Sequence, residues 1–171
     1  MDFFTVPTFT FGILYCFFVV AHDRRRILQL NVTRYPTALW IAQQLRETFP
    51  YQTKCKYLIH DRDAKFGSQV SETVASLNLK MVRTSFRSPW QNGIAERWVG
   101  SCRRDLLDHV IPLSERHLKR LLADYLRYCR THLGLQKDTP HYRPLAEASE
   151  KSTILSFPRL GGLHHRYDVA A

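Results

Sequence analysis

Seven consecutive residues, Leu14-Tyr15-Cys16-Phe17-Phe18-Val19-Val20, are almost continuously apolar. A strand with one wet face alternates polar and apolar residues, so an unbroken run calls for a central strand covered on both faces. The longer stretch from Phe9 to Ala21 is too short and too interrupted for a bilayer span. It also lacks the basic lead and small-residue exit of a signal peptide.

The flanking segments fit that strand. Asp2-Phe3-Phe4-Thr5-Val6 is aromatic and β-branched and predicts a first strand closed by Pro7. After the polar turn His22-Asp23-Arg24-Arg25, Ile27 to Val32 predicts a third strand and completes an antiparallel meander. Pro36 opens a helix whose apolar positions Ala38, Ile41, Ala42, Leu45 and Phe49 run to Pro50. Tyr57 to His60 is a fourth strand, a short helix carries Val70, Val74 and Leu77, and Lys80 to Thr84 is a fifth. Strand, helix and strand in that order predict parallel pairing and a right-handed crossover. The class is α/β: a five-stranded mixed sheet, antiparallel then parallel, flanked by helices.

Two acidic places stand out on this frame. Tyr57-Leu58-Ile59-His60 runs directly into Asp61-Arg62-Asp63, the usual character of the active end of an α/β sheet. Beyond the loop from Ser85 to Gln91, apolar residues recur at Ile94, Ala95, Trp98, Val99, Cys102, Leu106 and Val110, and this helical stripe leaves Glu96 on its flank beside Arg103. A carboxylate there can be a solvated charge, an ion-pair partner or a metal ligand. A third carboxylate, Asp2, opens the first strand. Three such groups on two strands and a helix are what a pair of hard divalent cations requires.

Asp2, Asp61 and Glu96, with 35 positions between the last two and Gln91-Asn92-Gly93-Ile94-Ala95-Glu96-Arg97 around the glutamate, resemble the catalytic core of retroviral-type integrases and the DDE transposases of bacterial insertion sequences. The stretch Arg130 to Pro140 is similar to the segment that follows the core in bacterial integrase-core proteins. The resemblance implies a ribonuclease H-like fold and DNA strand cleavage and transfer by a polynucleotidyl transferase. Asp2, Asp61 and Glu96 would then hold two Mg²⁺ or Mn²⁺ ions, Asp61 bridging both. It also implies that Gln91, Asn92, Arg87, Arg97 and Arg103 contact DNA, that element ends and target DNA are the partners, and that the chain assembles as a homo-oligomer. A cytoplasmic, nucleoid-associated bacterial protein follows, with no membrane partner and no small-molecule cofactor.

Three readings remain open at this level: an integrase or transposase core, an inactive relic that binds DNA or a partner nonspecifically, and a plain nuclease. Asp63 competes with Asp61 for the ligand role. It stands where the family commonly has glycine, and Phe66 keeps the family's spacing only from Asp61. His60 should point away from the carboxylates and be structural, and Asn92 also suits helix entry. The family's first strand usually starts several residues ahead of its aspartate, after a DNA-binding segment. A start at Met1-Asp2 therefore predicts an N-terminally truncated core over 1–134, with Asp2 on a frayed end, and an extended or partly ordered tail over 135–171.

Composition agrees with a polyanionic partner: 25 Lys and Arg against 15 Asp and Glu give a formal charge of +10. Cys16, Cys55, Cys102 and Cys129 are widely spaced, with no Cys-x-x-Cys pair, so neither zinc nor a disulfide framework is expected. Ser114 and Glu115 begin a last amphipathic helix through Leu118, Leu122, Tyr125 and Cys129.

Overall fold

The computed structural model describes residues 1–23, 25–50, 55–129 and 153–170. They form two compact units, Met1–Glu115 and Arg116–Ala171.

The first unit is built on three antiparallel strands in the order β1-β2-β3: β1 (Asp2–Pro7), β2 (Ile13–Val20) and β3 (Ile27–Thr33). The register sets Asp2 opposite Phe18 and Tyr15 opposite Thr33. In β2, Cys16, Phe17, Phe18 and Val19 are all buried, as the apolar run requires. Phe17 lies 5.2 Å from Phe3 and 6.1 Å from Trp40, ring to ring, on one side of the sheet. On the other, Phe18 lies 6.0 Å from Phe4 and 6.1 Å from Trp98. Each neighbour of the Phe17-Phe18 pair therefore roots a separate layer.

Helix α1 (Ala38–Thr48) starts where Thr37 Oγ1 accepts from Trp40 N at 3.2 Å. Its buried face packs Ile41 and Leu45 with Phe17, Val19, Leu58, Val70 and Val74 in one core. Gln44, also buried, accepts from Asn31 Nδ2 at 2.7 Å and Gln29 Nε2 at 3.1 Å, which ties α1 to β3 without leaving the amide oxygen unmatched. Strand β4 (Tyr57–His60), helix α2 (Ser68–Ser76) and strand β5 (Lys80–Arg83) follow, with β4 and β5 parallel and Tyr57 opposite Lys80. A 3₁₀ turn, Pro89–Asn92, opens α3 (Gly93–Cys102), which widens into a π-helical turn over Arg103–Leu107.

The single five-stranded sheet expected from the sequence is not formed. The strands of this unit divide into a three-stranded antiparallel sheet and a two-stranded parallel sheet, β4-β5. The reason lies at the seam. There Met1 N donates to Ile59 O at 2.7 Å, and one bond makes no ladder. Nor is Asp2 frayed: Met1 is buried and Asp2 is paired with Phe18 of β2.

The second unit holds most of α4 (Glu115–Asp124), a π-helical turn over Tyr125–Cys129, and an antiparallel pair, β6 (Thr153–Arg159) and β7 (His164–Ala170). Its hairpin turn needs positive φ at Gly161 (70°) and Gly162 (94°), a conformation glycine adopts without strain. This paired segment occupies the latter half of the expected tail. The integrase-like stretch Arg130 to Pro140 lies outside the described residues, as do His132, His141 and the side chain of Cys129. Among the described residues, no helix is long and apolar enough to cross a membrane.

The two-sided core sets a stability contrast within one helix. Ile41→Ala, at a fully buried position, should destabilise the chain by about 2–5 kcal/mol, whereas Leu39→Ala, 68% exposed, should stay within about 0.5 kcal/mol. Urea unfolding followed by circular dichroism measures both.

Candidate active site

Asp2 opens β1, Asp61 follows the last residue of β4, and the Met1–Ile59 bond sets these two strand ends side by side. The start of α3 closes on the same place. Asn92 Nδ2 donates to Asp2 Oδ2 at 2.8 Å, while Phe3 N donates to Asp2 Oδ1 at 2.7 Å. Pleating explains the geometry: Asp2, Phe4 and Val6 share a face, and through Phe18 and Trp98 that face belongs to α3.

Crowding is visible in the electrostatics. Burial pushes the Asp2 carboxyl from its ordinary 3.8 up to about 6, the Asp61 charge adds to this, and Asp63 contributes less. The bond from Phe3 N and the Met1 ammonium act the other way. Burial in turn lowers the Met1 amine to about 6, against the pull of Asp2 and Asp61.

Asp61 and Asp63 are held differently. Asp61 Oδ1 accepts from Asp63 N at 3.0 Å, a local turn that holds one carboxylate oxygen against the chain just after it. Asp63 Oδ2 pairs with Lys65 Nζ at 2.8 Å, and its Oδ1 accepts from Lys65 N at 2.9 Å. The same ammonium sits 5.6 Å from the Phe3 ring centre and 5.2 Å from that of Tyr15. Asp63 thus has a cation of its own, whereas Asp61 acts on Asp2.

Glu96 is exposed, one helical turn beyond the Asn92 that holds Asp2. Among the described residues, no three His, Cys, Asp or Glu side chains gather closely enough to hold a metal ion. The structure brings Asp2 and Asp61 together and leaves Glu96 adjacent on α3. Gln91 turns inward on its own loop, accepting from Ser85 N at 2.7 Å. Arg103 donates from Nη2 to Thr5 O at 3.1 Å, Arg87 lies against the Phe86 ring, and Arg97 is exposed. His60 is buried against Phe66 at 5.3 Å, its Nδ1 has no hydrogen-bond partner among the described residues, and burial lowers its pKa.

Two basic residues of this region escape a reading by motif, Lys65 and Arg62. Arg62 Nε donates to Thr84 O at 3.1 Å. The signal was their spacing: a cation directly after Asp61 and another two positions after Asp63.

No family model and no curated protein matches the sequence. Solved structures do. A chain from the cryoEM structure of the simian T-cell lymphotropic virus intasome with a PP2A regulatory subunit aligns at TM-score 0.60 and 14% identity, over 99% of this chain but only 65% of that one. The catalytic core domain of BIV integrase aligns at TM-score 0.57 and 17% identity, covering 82% of this chain and 89% of that one. The HTLV-2 integrase catalytic core domain, solved with magnesium in a trimeric form, aligns at 0.58 and 13%, covering 82% and 91%. The fold is an integrase-core fold. At such identities the likeness speaks to architecture, and the chemistry rests on the residues themselves.

The Asp2 pKa carries a sign. The folded chain binds this proton more tightly than the unfolded chain, so Asp2 opposes folding at neutral pH, and the penalty is relieved as pH falls from about 6 towards 3.8. Carbon-13 NMR of the Asp2 carboxyl should show a midpoint near 6, moving down in Asp61→Asn as the neighbouring charge disappears. An unchanged midpoint in that variant would mean that the two carboxylates do not interact.

Proposed function

We propose that the chain is the catalytic core of a DDE-type polynucleotidyl transferase that cuts DNA and joins DNA ends. The observation that carries this is the Asp2–Asp61 pair held at adjacent strand ends, with Asn92 binding Asp2 four positions before Glu96. Two half-buried like charges are unfavourable unless a cation compensates them, and an oxygen-only donor set fits a hard divalent ion. Asp2 keeps further acceptor capacity on both oxygens beyond the bonds from Phe3 and Asn92. Asp2, Asp61 and Glu96 would hold the ions. Bound there, Mg²⁺ or Mn²⁺ supplies charge stabilisation to the attacking and leaving oxygens of an in-line displacement at phosphorus.

The protein's own part is placement. Asn92 fixes the Asp2 carboxylate, and Lys65 neutralises Asp63 and so keeps it from competing as a ligand. Arg87, Arg97 and Arg103 provide guanidinium donors for DNA phosphates, while Gln91 braces the loop before α3. Water is the nucleophile in nicking and a DNA 3′-hydroxyl in joining. The intasome and the trimeric form named for the structural neighbours support a homo-oligomer on element ends and target DNA.

Nicking of supercoiled plasmid and joining of labelled ends, each with Mg²⁺ or Mn²⁺, test this reading. Glu96→Gln should lower both by at least about 100-fold, more than loss of a residue that only supports a ligand, while Asp63→Asn keeps most of the activity. Equal losses in the two variants would overturn the ligand assignment, and DNA binding without nicking would leave a binding relic. As a readout independent of turnover, Mg²⁺ should shift the Asp2 titration downward, because a cation favours the charged carboxylate. Duplex affinity should also fall steeply between about 50 and 200 mM salt, since phosphate contacts release counterions.

A further inference from the structure

The loop from β1 to β2 is tied down by its backbone yet holds its largest side chains in water. Thr8 N donates to Gly12 O at 2.8 Å, Gly12 N donates to Thr8 Oγ1 at 3.0 Å, and Phe11 N donates to Thr8 O at 3.0 Å. Phe9 N donates to Pro112 O at 3.0 Å and so fastens the loop to the segment that precedes α4. Phe11 takes a left-handed φ of 58°, uncommon for a residue other than glycine, and is 96% exposed. An untied loop could lay such a ring on the sheet. This one is held out.

Its neighbours are of the same kind. Phe9, Ile13, Ile111 and Leu113 are each more than half exposed, and the bond from Phe9 to Pro112 sets the two segments side by side, with Ile111 and Leu113 flanking the buried Pro112. With about 150–250 Å² on each phenylalanine, the five side chains leave on the order of 600 Å² of apolar surface in water. That is at the top of the about 300–600 Å² reached by the largest patch of an ordinary monomer, and it approaches the about 800 Å² per partner of a stable interface.

Charge selects the occupant. Neither Thr8 to Ile13 nor Ile111 to Ser114 contains an ionisable side chain, in a chain of formal charge +10. Two copies repel each other wherever their basic faces meet, whereas across this face they approach without opposing charges. An acidic partner gains its attraction on the basic faces and finds none here.

We propose that the Phe9 to Ile13 loop, with Ile111 and Leu113, is a self-association face on which a second copy of the chain docks about a two-fold axis, each Phe11 covering the other copy's Ile111 and Leu113. The proposal goes beyond the DNA reading and stands without it. The face lies past the end of β1 remote from Asp2, at least about 17 Å along the strand at 3.3 Å per residue, so the paired chains keep their carboxylates open.

The test is sedimentation equilibrium of the full chain with no DNA present, which should show a reversible monomer–dimer equilibrium. A two-fold contact uses each residue twice, so Phe11→Asn should raise the dimer dissociation constant by at least about thirtyfold, the loss expected of a central aromatic anchor. Asparagine accepts a left-handed backbone, and circular dichroism checks that the fold is kept. Ile111→Lys, which sets like charges into the contact, should have the same effect. Phe86 is also exposed, but beside Arg62 at the carboxylate end, and Phe86→Asn should leave the equilibrium unchanged. Raising salt from about 0.1 to 1 M should hold or tighten the dimer, because screening removes repulsion between two positive chains. A wild-type chain that stays monomeric overturns the self-association face and leaves the DNA reading, which rests on nicking and joining, untouched. Association that survives Phe11→Asn and Ile111→Lys, that is lost equally in Phe86→Asn, or that weakens with salt overturns it as well.

Discussion

Everything in the first unit depends on a strand that cannot tolerate water on either side. Phe17 and Phe18 are adjacent and therefore point in opposite directions, and each is fully buried. Covering Phe17 requires the layer of α1 and α2, while covering Phe18 requires α3 through Trp98. The sheet thus recruits a helix layer to each face. The α3 layer is the one that meets Asp2, because it lies on the face to which Asp2 belongs.

The carboxylate pair works against the fold that positions it. Burial and the charge of Asp61 both raise Asp2, and the neighbouring Met1 ammonium offsets them only in part. What restrains Asp2 is directional bonding, from Phe3 N at one oxygen and Asn92 at the other. A residue kept in an unfavourable state by several independent bonds is the usual mark of a site shaped for function rather than stability. Asp63 shows the contrast: it has Lys65 at 2.8 Å and a local turn, and nothing in its surroundings asks for a further cation.

What was legible in the sequence was whatever a periodic pattern or a local signal determines. The apolar run from Leu14 to Val20 announced two-sided burial, Pro36 announced α1, and the stripe through Ala95, Trp98 and Cys102 placed Glu96 on a helix flank, where it is exposed. Pairing across the sheet was not legible, since register between β1 and β4 is decided by which residues lie alongside, and there only Met1 reaches Ile59. The hairpin of β6 and β7 was missed because its strands do not alternate cleanly; six of the seven residues of β6 are exposed. The π-helical turn after Cys102 escaped too. Where that turn begins, Arg103 is bonded to the backbone of β1 at Thr5.

That bond bears on how α3 can serve both core and site. Trp98 and Cys102 fix the rotation of the helix by burial, and Arg103 ties its far end to β1 while Asn92 ties its near end to the same strand at Asp2. Two bonds to one strand, eleven positions apart on α3, leave little freedom for the helix to roll or slide along it. Glu96 lies between them and needs no bond of its own to be placed. Its carboxylate stays open to solvent, while the backbone that carries it stays where β1 holds it.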